Sequence, residues 1–310
     1  MKNGVLNIYK DAGMTSFQVV YQIRKMTGES KIGHTGTLDP DAKGVLPICI
    51  GKATKLVDLL MDTDKQYRCV LLFGKRTDTQ DVTGTVVEEM NLSEVKAKTD
   101  PETIIRAIQS YTGTIEQMPP MYSAVKVNGV KLVDAARKGK TIERKARKVS
   151  IYGFDQIRVT GFEDPDAVVK AFFTVNCSKG TYIRTLCEDI GEKLGIPACM
   201  ESLERTRTSG LDLSTAMTIR EAEAYMEQGM LEEKVIPTDA FLQKYPAITV
   251  REETVRKLIY GNWLQPEEFV SPEPAKDKDI FRVYDKEGNF YALYRYSQKD
   301  NYYKCEKMFA

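Results

Sequence analysis

The sequence predicts an α+β protein, on three observations. Stretches with strand-like alternation and stretches with helical periodicity follow one another in irregular order. The regular β-α-β alternation of a parallel sheet is missing. The 310 residues, 42% hydrophobic and 29% charged, have the composition of a folded globular protein and the length of about two domains, each able to bury its own core.

Residues 5–9 read as a short strand. Gly13 then precedes a capping Thr15 or Ser16, and Val19, Ile23 and Met26 follow at helical spacing with Gly28 as a stop. Residues 65–74 (KQYRCVLLFG) place Tyr67, Cys69, Leu71 and Phe73 on one face of a strand, and TDTQDVTG after them is a turn-rich loop. Asp100 and Pro101 cap a helix carrying Ile104, Ile105, Ile108 and Tyr111 that ends near Gly113. Strands are expected near 149–159 and 168–177. Gly180 leads into a helix with Ile183, Leu186, Ile190 and Leu194 as its apolar stripe and Gly195 as its stop; another helix is expected at 218–229.

Between 235 and 250 the periodicity is lost and two prolines appear, which divides the chain into a unit at 1–236 and a small one at 246–310. In the small unit, 251–263 is expected to be helical. FRVYDKEGNFYALYRY reads as two strands across a glycine turn, and YYKCEKMF as a last strand.

A single histidine, His34, removes every multi-histidine metal site. Six cysteines without a C-x-x-C pair leave neither a zinc knuckle nor a thioredoxin-like motif, so no catalytic metal site is expected and the thiols are expected reduced and packed. No apolar run approaches a membrane span, and the first residues lack the layout of a signal peptide. A cytoplasmic protein is expected.

The net charge of +1 hides an asymmetry: residues 121–150 carry nine lysines and arginines against Asp134 and Glu143, a local +7. Such a run is either a solvated face or, with Gly129 and Gly139 interrupting it, a flexible arm that tracks a polyanion.

The densest punctuation is KIGHTGTLDPDAKGVLPICIGKATKL at 31–56, where four glycines and two prolines dictate an unusual backbone path. GKAT at 51–54 is no phosphate-cradling loop, because Ala53 stands where a Ser or Thr magnesium ligand belongs. Asp39, between Leu38 and Pro40, suits a turn former or a nucleophile or general base, and its neighbours alone leave both readings open.

The string GHTGTLDPDAKGVLPICIGKATKL resembles the signature of the TruB family of tRNA pseudouridine synthases. KDAGMTSFQVV resembles the family's opening motif, DKQYRCVLLFGKRTDTQDVTG its tyrosine strand and loop, PPMYSAVKVNG the start of its RNA-gripping insertion, and CSKGTYIRTLCEDIGEKLG its arginine helix. The blocks appear in family order over roughly residues 4–210 and jointly are specific. One departure is Asp11, where the family usually has a proline.

The resemblance implies a pseudouridine synthase fold, with a mixed, largely antiparallel sheet flanked by helices and loops and a small β-rich PUA-like unit at 246–310. It implies isomerisation of uridine 55 in the T loop of tRNA, after the base is flipped out of its stack, by an enzyme that needs no cofactor. Asp39, Tyr67 and Arg184 match the family's catalytic positions, and His34, Tyr182 and Leu203 its substrate-binding ones. Lys126, Lys131, Arg137, Lys138, Arg144, Lys145 and Arg147, in the insertion at 121–150, are the expected contacts to the RNA backbone. The implied partner is the T arm of tRNA, bound by a monomer without a membrane or a protein partner.

Two other readings share the scaffold. One is a guide-RNA-dependent enzyme of ribosomal RNA; GVLPICIGKATKL resembles the stand-alone bacterial form more closely. The other is a non-catalytic protein that binds or folds tRNA, against which the intact Asp39, Tyr67 and Arg184 set speaks.

Overall fold

The computed structural model describes residues 2–127, 129–271 and 275–310, with the side chain of Lys131 outside the described part. Strand β1 (Gly4–Lys10) is buried along nearly its whole length, and its side chains are apolar enough to be covered on both faces. Helix α1 (Ser16–Thr27) starts at Thr15 in a capping box with Gln18 and stops at Gly28, which takes the left-handed φ of 69°. Ser16, the other candidate cap, instead accepts a bond from Leu38 N at 2.9 Å and so ties the helix to the Asp39 loop.

The main sheet is built on β2 (Lys43–Ile50), β3 (Lys65–Phe73), β4 (Gly113–Gln117), β5 (Arg147–Thr160), β6 (Lys170–Cys177), β7 (Ala198–Thr208) and β8 (Met217–Thr218), in the order β8-β1-β2-β7-β3-β6-β5-β4. Only β1–β8 and β2–β7 pair in parallel along this path. The fold is thus the mixed, largely antiparallel α+β sheet that the resemblance implies. On β3, Tyr67, Cys69, Leu71 and Phe73 alternate as buried residues, as their period of two requires. Helices α2 (Pro101–Gln109) and α3 (Ile183–Leu194) have the expected cap at Asp100 and stop at Gly195, and the helix expected at 218–229 is α4 (Ile219–Glu227), capped by Thr218.

Three local features differ from the sequence reading. Strand β7 lies in the middle of the sheet, in a stretch where the sequence suggests no strand. Its sequence, ACMESLERTRT, carries Glu201, Glu204, Arg205 and Arg207, and the charges hide the alternation. Helix α2 stops at Gln109, and Gly113, with φ 114°, opens strand β4 rather than ending the helix. The expected helix at 251–263 is reduced to a 3-10 turn, Glu252–Thr254, and one short helix, Val255–Ile259; Gly261, at φ 68°, then turns the chain away.

A second sheet holds β9 (Ala247–Thr249), β10 (Ile280–Tyr284), β11 (Phe290–Ser297) and β12 (Tyr302–Met308) in sequence order. Phe269, Phe281, Tyr294 and Tyr303 fill its core. A third apolar cluster packs Val5, Cys49, Leu56 and Leu60 from the first part of the chain against Leu242, Leu293 and Phe309. No helix among the described residues is long and apolar enough to cross a membrane.

Candidate active site

Asp39 sits on the loop between the short strand Ile32–His34 and β2. Gly44 must be glycine for this loop to close on β7: with φ 110°, a Cβ there would stand 2.2 Å from Arg205 O. From below, the buried Lys10 sends its Nζ to Pro40 O at 2.8 Å, Met14 O at 2.7 Å and Asp11 O at 3.0 Å. Gly13 N adds a bond to Pro40 O at 3.0 Å. The loop that a proline at position 11 would stiffen is therefore pinned by an ammonium instead. Burial lowers that ammonium to about 8, while Asp41, Asp39 and Asp11 oppose the shift.

Arg184 enters from the first turn of α3, where Gln117 holds the residue that precedes the helix: Gln117 Oε1 accepts from Tyr182 N at 2.7 Å and Gln117 Nε2 donates to Tyr182 O at 3.0 Å. Arg184 is 4% exposed and every guanidinium nitrogen is engaged. Nε and Nη2 reach the two carboxylate oxygens of Asp39 at 2.8 and 3.1 Å, Nη2 also donates to Tyr122 O at 2.8 Å, and Nη1 donates to Thr79 O at 3.0 Å. Asp81 Oδ2 stands 3.9 Å from Nη1. Asp81 is itself fixed by Thr79 and by the backbone and hydroxyl of Thr83.

Burial pushes the Asp39 carboxyl above its ordinary range, Arg184 resists, and Asp81 adds to the push. Arg184 thus holds down a carboxylate that its surroundings would otherwise protonate. Asp39, Arg184, Asp81, Tyr122, Ser123 and Leu203 line one cavity of about 410 Å³.

The other expected residues are placed differently. Tyr67 is buried on β3 and is not among the residues lining this cavity. His34 and Tyr182 do not line it either; His34 Nδ1 accepts from Gly36 N at 3.2 Å, and burial lowers its pKa, with Arg205 adding to the effect. Arg137 lies on the cavity wall. Lys126, Lys138, Lys145 and Arg147 are exposed, whereas Arg144 is half-buried with Nη1 donating to Pro119 O at 2.9 Å. The side chain expected of Lys131 lies outside the described residues.

Sequence reasoning misses Lys10, Asp81, Ser123 and Arg205. Asp81 is visible only as part of a turn-rich loop, and Arg205 as one charge in a stretch that reads as no element at all. Among the described residues no group of three or more His, Cys, Asp or Glu is placed to hold a metal ion.

Comparison with known proteins bears on this geometry. A model described as the TruB family pseudouridylate synthase N-terminal domain matches residues 24–183, and one for the tRNA pseudouridylate synthase B C-terminal domain matches residues 184–243. A protein of Lachnoclostridium phytofermentans named tRNA pseudouridine synthase B is 44% identical over 99% of both chains. One of Limosilactobacillus reuteri with the same name is 41% identical over the same shares. Among solved structures, an H/ACA ribonucleoprotein bound to a substrate RNA containing 2′-deoxyuridine superposes with a TM-score of 0.69 at 22% identity, over 99% of this chain and 85% of the other, a likeness of fold.

Proposed function

Because the chain belongs to the TruB family of pseudouridylate synthases, we propose that it isomerises uridine 55 in the T loop of tRNA to pseudouridine, with Asp39 as the catalytic carboxylate. The observation that carries the reading is the forked Arg184–Asp39 pair at the wall of one cavity, with Asp39 on the GTLDP loop. The reaction redistributes bonds inside one nucleotide. The N1–C1′ bond breaks, a C5–C1′ bond forms, C5 loses a proton and N1 gains one, so no electrons are exchanged with a cofactor.

Asp39 serves this chemistry by attacking sugar or base, or by deprotonating the ribose, and each route needs the carboxylate. Arg184 keeps it charged when a stacked base has displaced water. Leu203, on the cavity wall, bounds the base pocket; Tyr67 and Tyr182, which do not line the cavity of the free protein, meet the base only once the uridine has entered, and Tyr67 then takes the C5 proton from beneath it. His34 holds the T loop with its uridine everted, a distortion that costs a few kcal/mol. Phosphate contacts from Lys126, Lys131, Arg137, Lys138, Arg144, Lys145 and Arg147 offset part of that cost. Catalysis belongs to residues 1–236, and 246–310 extend the grip on the same tRNA. The enzyme works as a monomer on the T arm, without a protein partner.

The experiment is to incubate the purified chain with an unmodified tRNA transcript and map pseudouridine at single-nucleotide resolution. Pseudouridine at position 55, formed without guide RNA or added protein, is the expected result. Its absence while tRNA still binds would favour a folding or binding protein, and activity only with a guide RNA would favour the ribosomal-RNA reading.

A further inference from the structure

Among the described residues Arg205 is the largest fully buried side chain, at 1% exposure, and its hydrogen-bond partners are uncharged. A buried guanidinium without a carboxylate is costly, and the bonds it makes are what offset that cost. Its Nε donates to Val45 O at 2.8 Å and its Nη2 to Gly36 O at 3.1 Å, which places it on β2 and on the loop three residues before Asp39. On β7 it stands in register opposite Tyr67 of β3, so the two side chains share one face of the sheet, with the Tyr67 hydroxyl beside the guanidinium. A guanidinium only donates, so toward Arg205 the Tyr67 oxygen can only accept.

We infer that Arg205 is a positioning residue for the isomerisation: one buried cation, bonded to Val45 and Gly36 and set opposite Tyr67 in the sheet, locks Tyr67 to the Gly36–Asp39 loop and fixes the orientation of its hydroxyl. The inference rests on the reading above in which Tyr67 takes the C5 proton. In that step the phenolate oxygen accepts the proton from C5, the C–H electron pair returns to the uracil ring, and the resulting phenol passes its proton to water when the product leaves. The titratable groups that face Tyr67 are Arg205 on β7, Cys177 on β6 and Asp39 on the loop. Burial raises the phenol pKa, Cys177 and Asp39 raise it further, and Arg205 alone among these opposes them. The same cation depresses His34, Lys10 and Lys65, so its field spans the floor of the site.

The test compares Arg205→Met and Arg205→Lys in the full chain, reading single-turnover rates on unmodified tRNA transcript from about pH 6 to 9.5, tRNA affinity and melting temperature. Arg205→Met is expected to slow the single-turnover rate about a hundredfold with affinity within about threefold, and to move the rising limb of the profile to higher pH. Arg205→Lys, which keeps the charge but not the fork, regains about tenfold of that loss. Replacing Tyr67 by 3-fluorotyrosine, whose phenol is more acidic, restores a further part of the rate in Arg205→Met.

A wild-type rate in folded Arg205→Met overturns the inference. So does a slow variant whose profile is unshifted and which fluorotyrosine does not restore, since that is the signature of a purely structural residue. If Arg205→Met fails to fold, Arg205→Lys with and without fluorotyrosine makes the same comparison. An active Asp39→Asn enzyme would defeat the reading of the site itself, whereas an inactive Asp39→Asn beside an unimpaired Arg205→Met defeats the role of Arg205 alone.

Discussion

Arg184 meets Asp39 as a fork, with Nε 2.8 Å from Oδ2 and Nη2 3.1 Å from Oδ1. The arginine is 5% exposed at its side chain and the aspartate 38%, so the cation is the fixed member and the carboxylate faces the cavity. Four acceptors hold the guanidinium in place before any substrate arrives.

Arg184→Lys keeps the charge and loses the planar fork. It is expected to bind tRNA within about threefold of wild type and to lose turnover by about a hundredfold, which single-turnover kinetics and filter binding check together. In Arg184→Met the counter-charge is gone and the Asp39 pKa, already raised by burial, rises further. Because the proposed chemistry needs the ionised form, the acidic limb of the rate profile should move to higher pH. An unshifted limb would show that Arg184 does not tune Asp39.

Asp39→Asn removes the carboxylate that the proposed chemistry needs, together with its charge and one of the two oxygens that the Arg184 fork holds. Isomerisation is expected to vanish while tRNA affinity changes by less than about tenfold, or 1.4 kcal/mol. Pseudouridine mapping after long incubation, beside an equilibrium binding curve, measures both.

Lys10→Met leaves the carbonyls of Pro40, Met14 and Asp11 without their shared donor. A loss of about 2 to 3 kcal/mol in urea unfolding at pH 7 is expected. The folded amine titrates near 8 against 10.5 for the unfolded chain. Between those values the unfolded state binds more protons, so this group's contribution to stability rises with pH in that window. The gap between wild type and variant should therefore widen from pH 8 towards 10, and a gap that narrows would contradict the placement of this charge.

Neutralising Lys126, Lys138, Lys145 and Arg147 together tests the basic segment. For every phosphate that one of these cations neutralises in the wild type, the log-log salt dependence of tRNA binding should flatten by roughly 0.7 to 0.9 in the variant. An unchanged slope between about 50 and 200 mM salt would return the segment to a solvated face.

The parts of this fold that are legible in the sequence are those where local chemistry and tertiary position agree. Thr15 and Gly28 bound α1 because capping and a left-handed stop are local requirements, and Tyr67 to Phe73 alternate because one face of β3 is covered. Strand β7 is illegible for the opposite reason. Its Arg205 is buried by partners from Val45 and Gly36, 160 and 169 residues away in sequence, and no window of neighbours reveals that. The same holds for the site. Asp39 and Arg184 can be matched by motif, but the four-acceptor socket of Arg184 and the anchoring of the loop by Lys10 exist only once distant segments meet.

The cluster that packs Val5 with Leu293 and Phe309 sets a schedule for biogenesis. Val5 leaves the ribosome about 300 residues before Phe309 does, which at common rates of synthesis is roughly 15 to 60 s. During that time β1 can pair with β2, but one flank of it waits for an apolar cover not yet made. A holdase chaperone or a second nascent chain therefore has a defined apolar target throughout elongation. A ribosome stalled between residues 245 and 290 would leave that target open, so stalling there should raise aggregation and chaperone capture more than stalling after Phe309 has emerged.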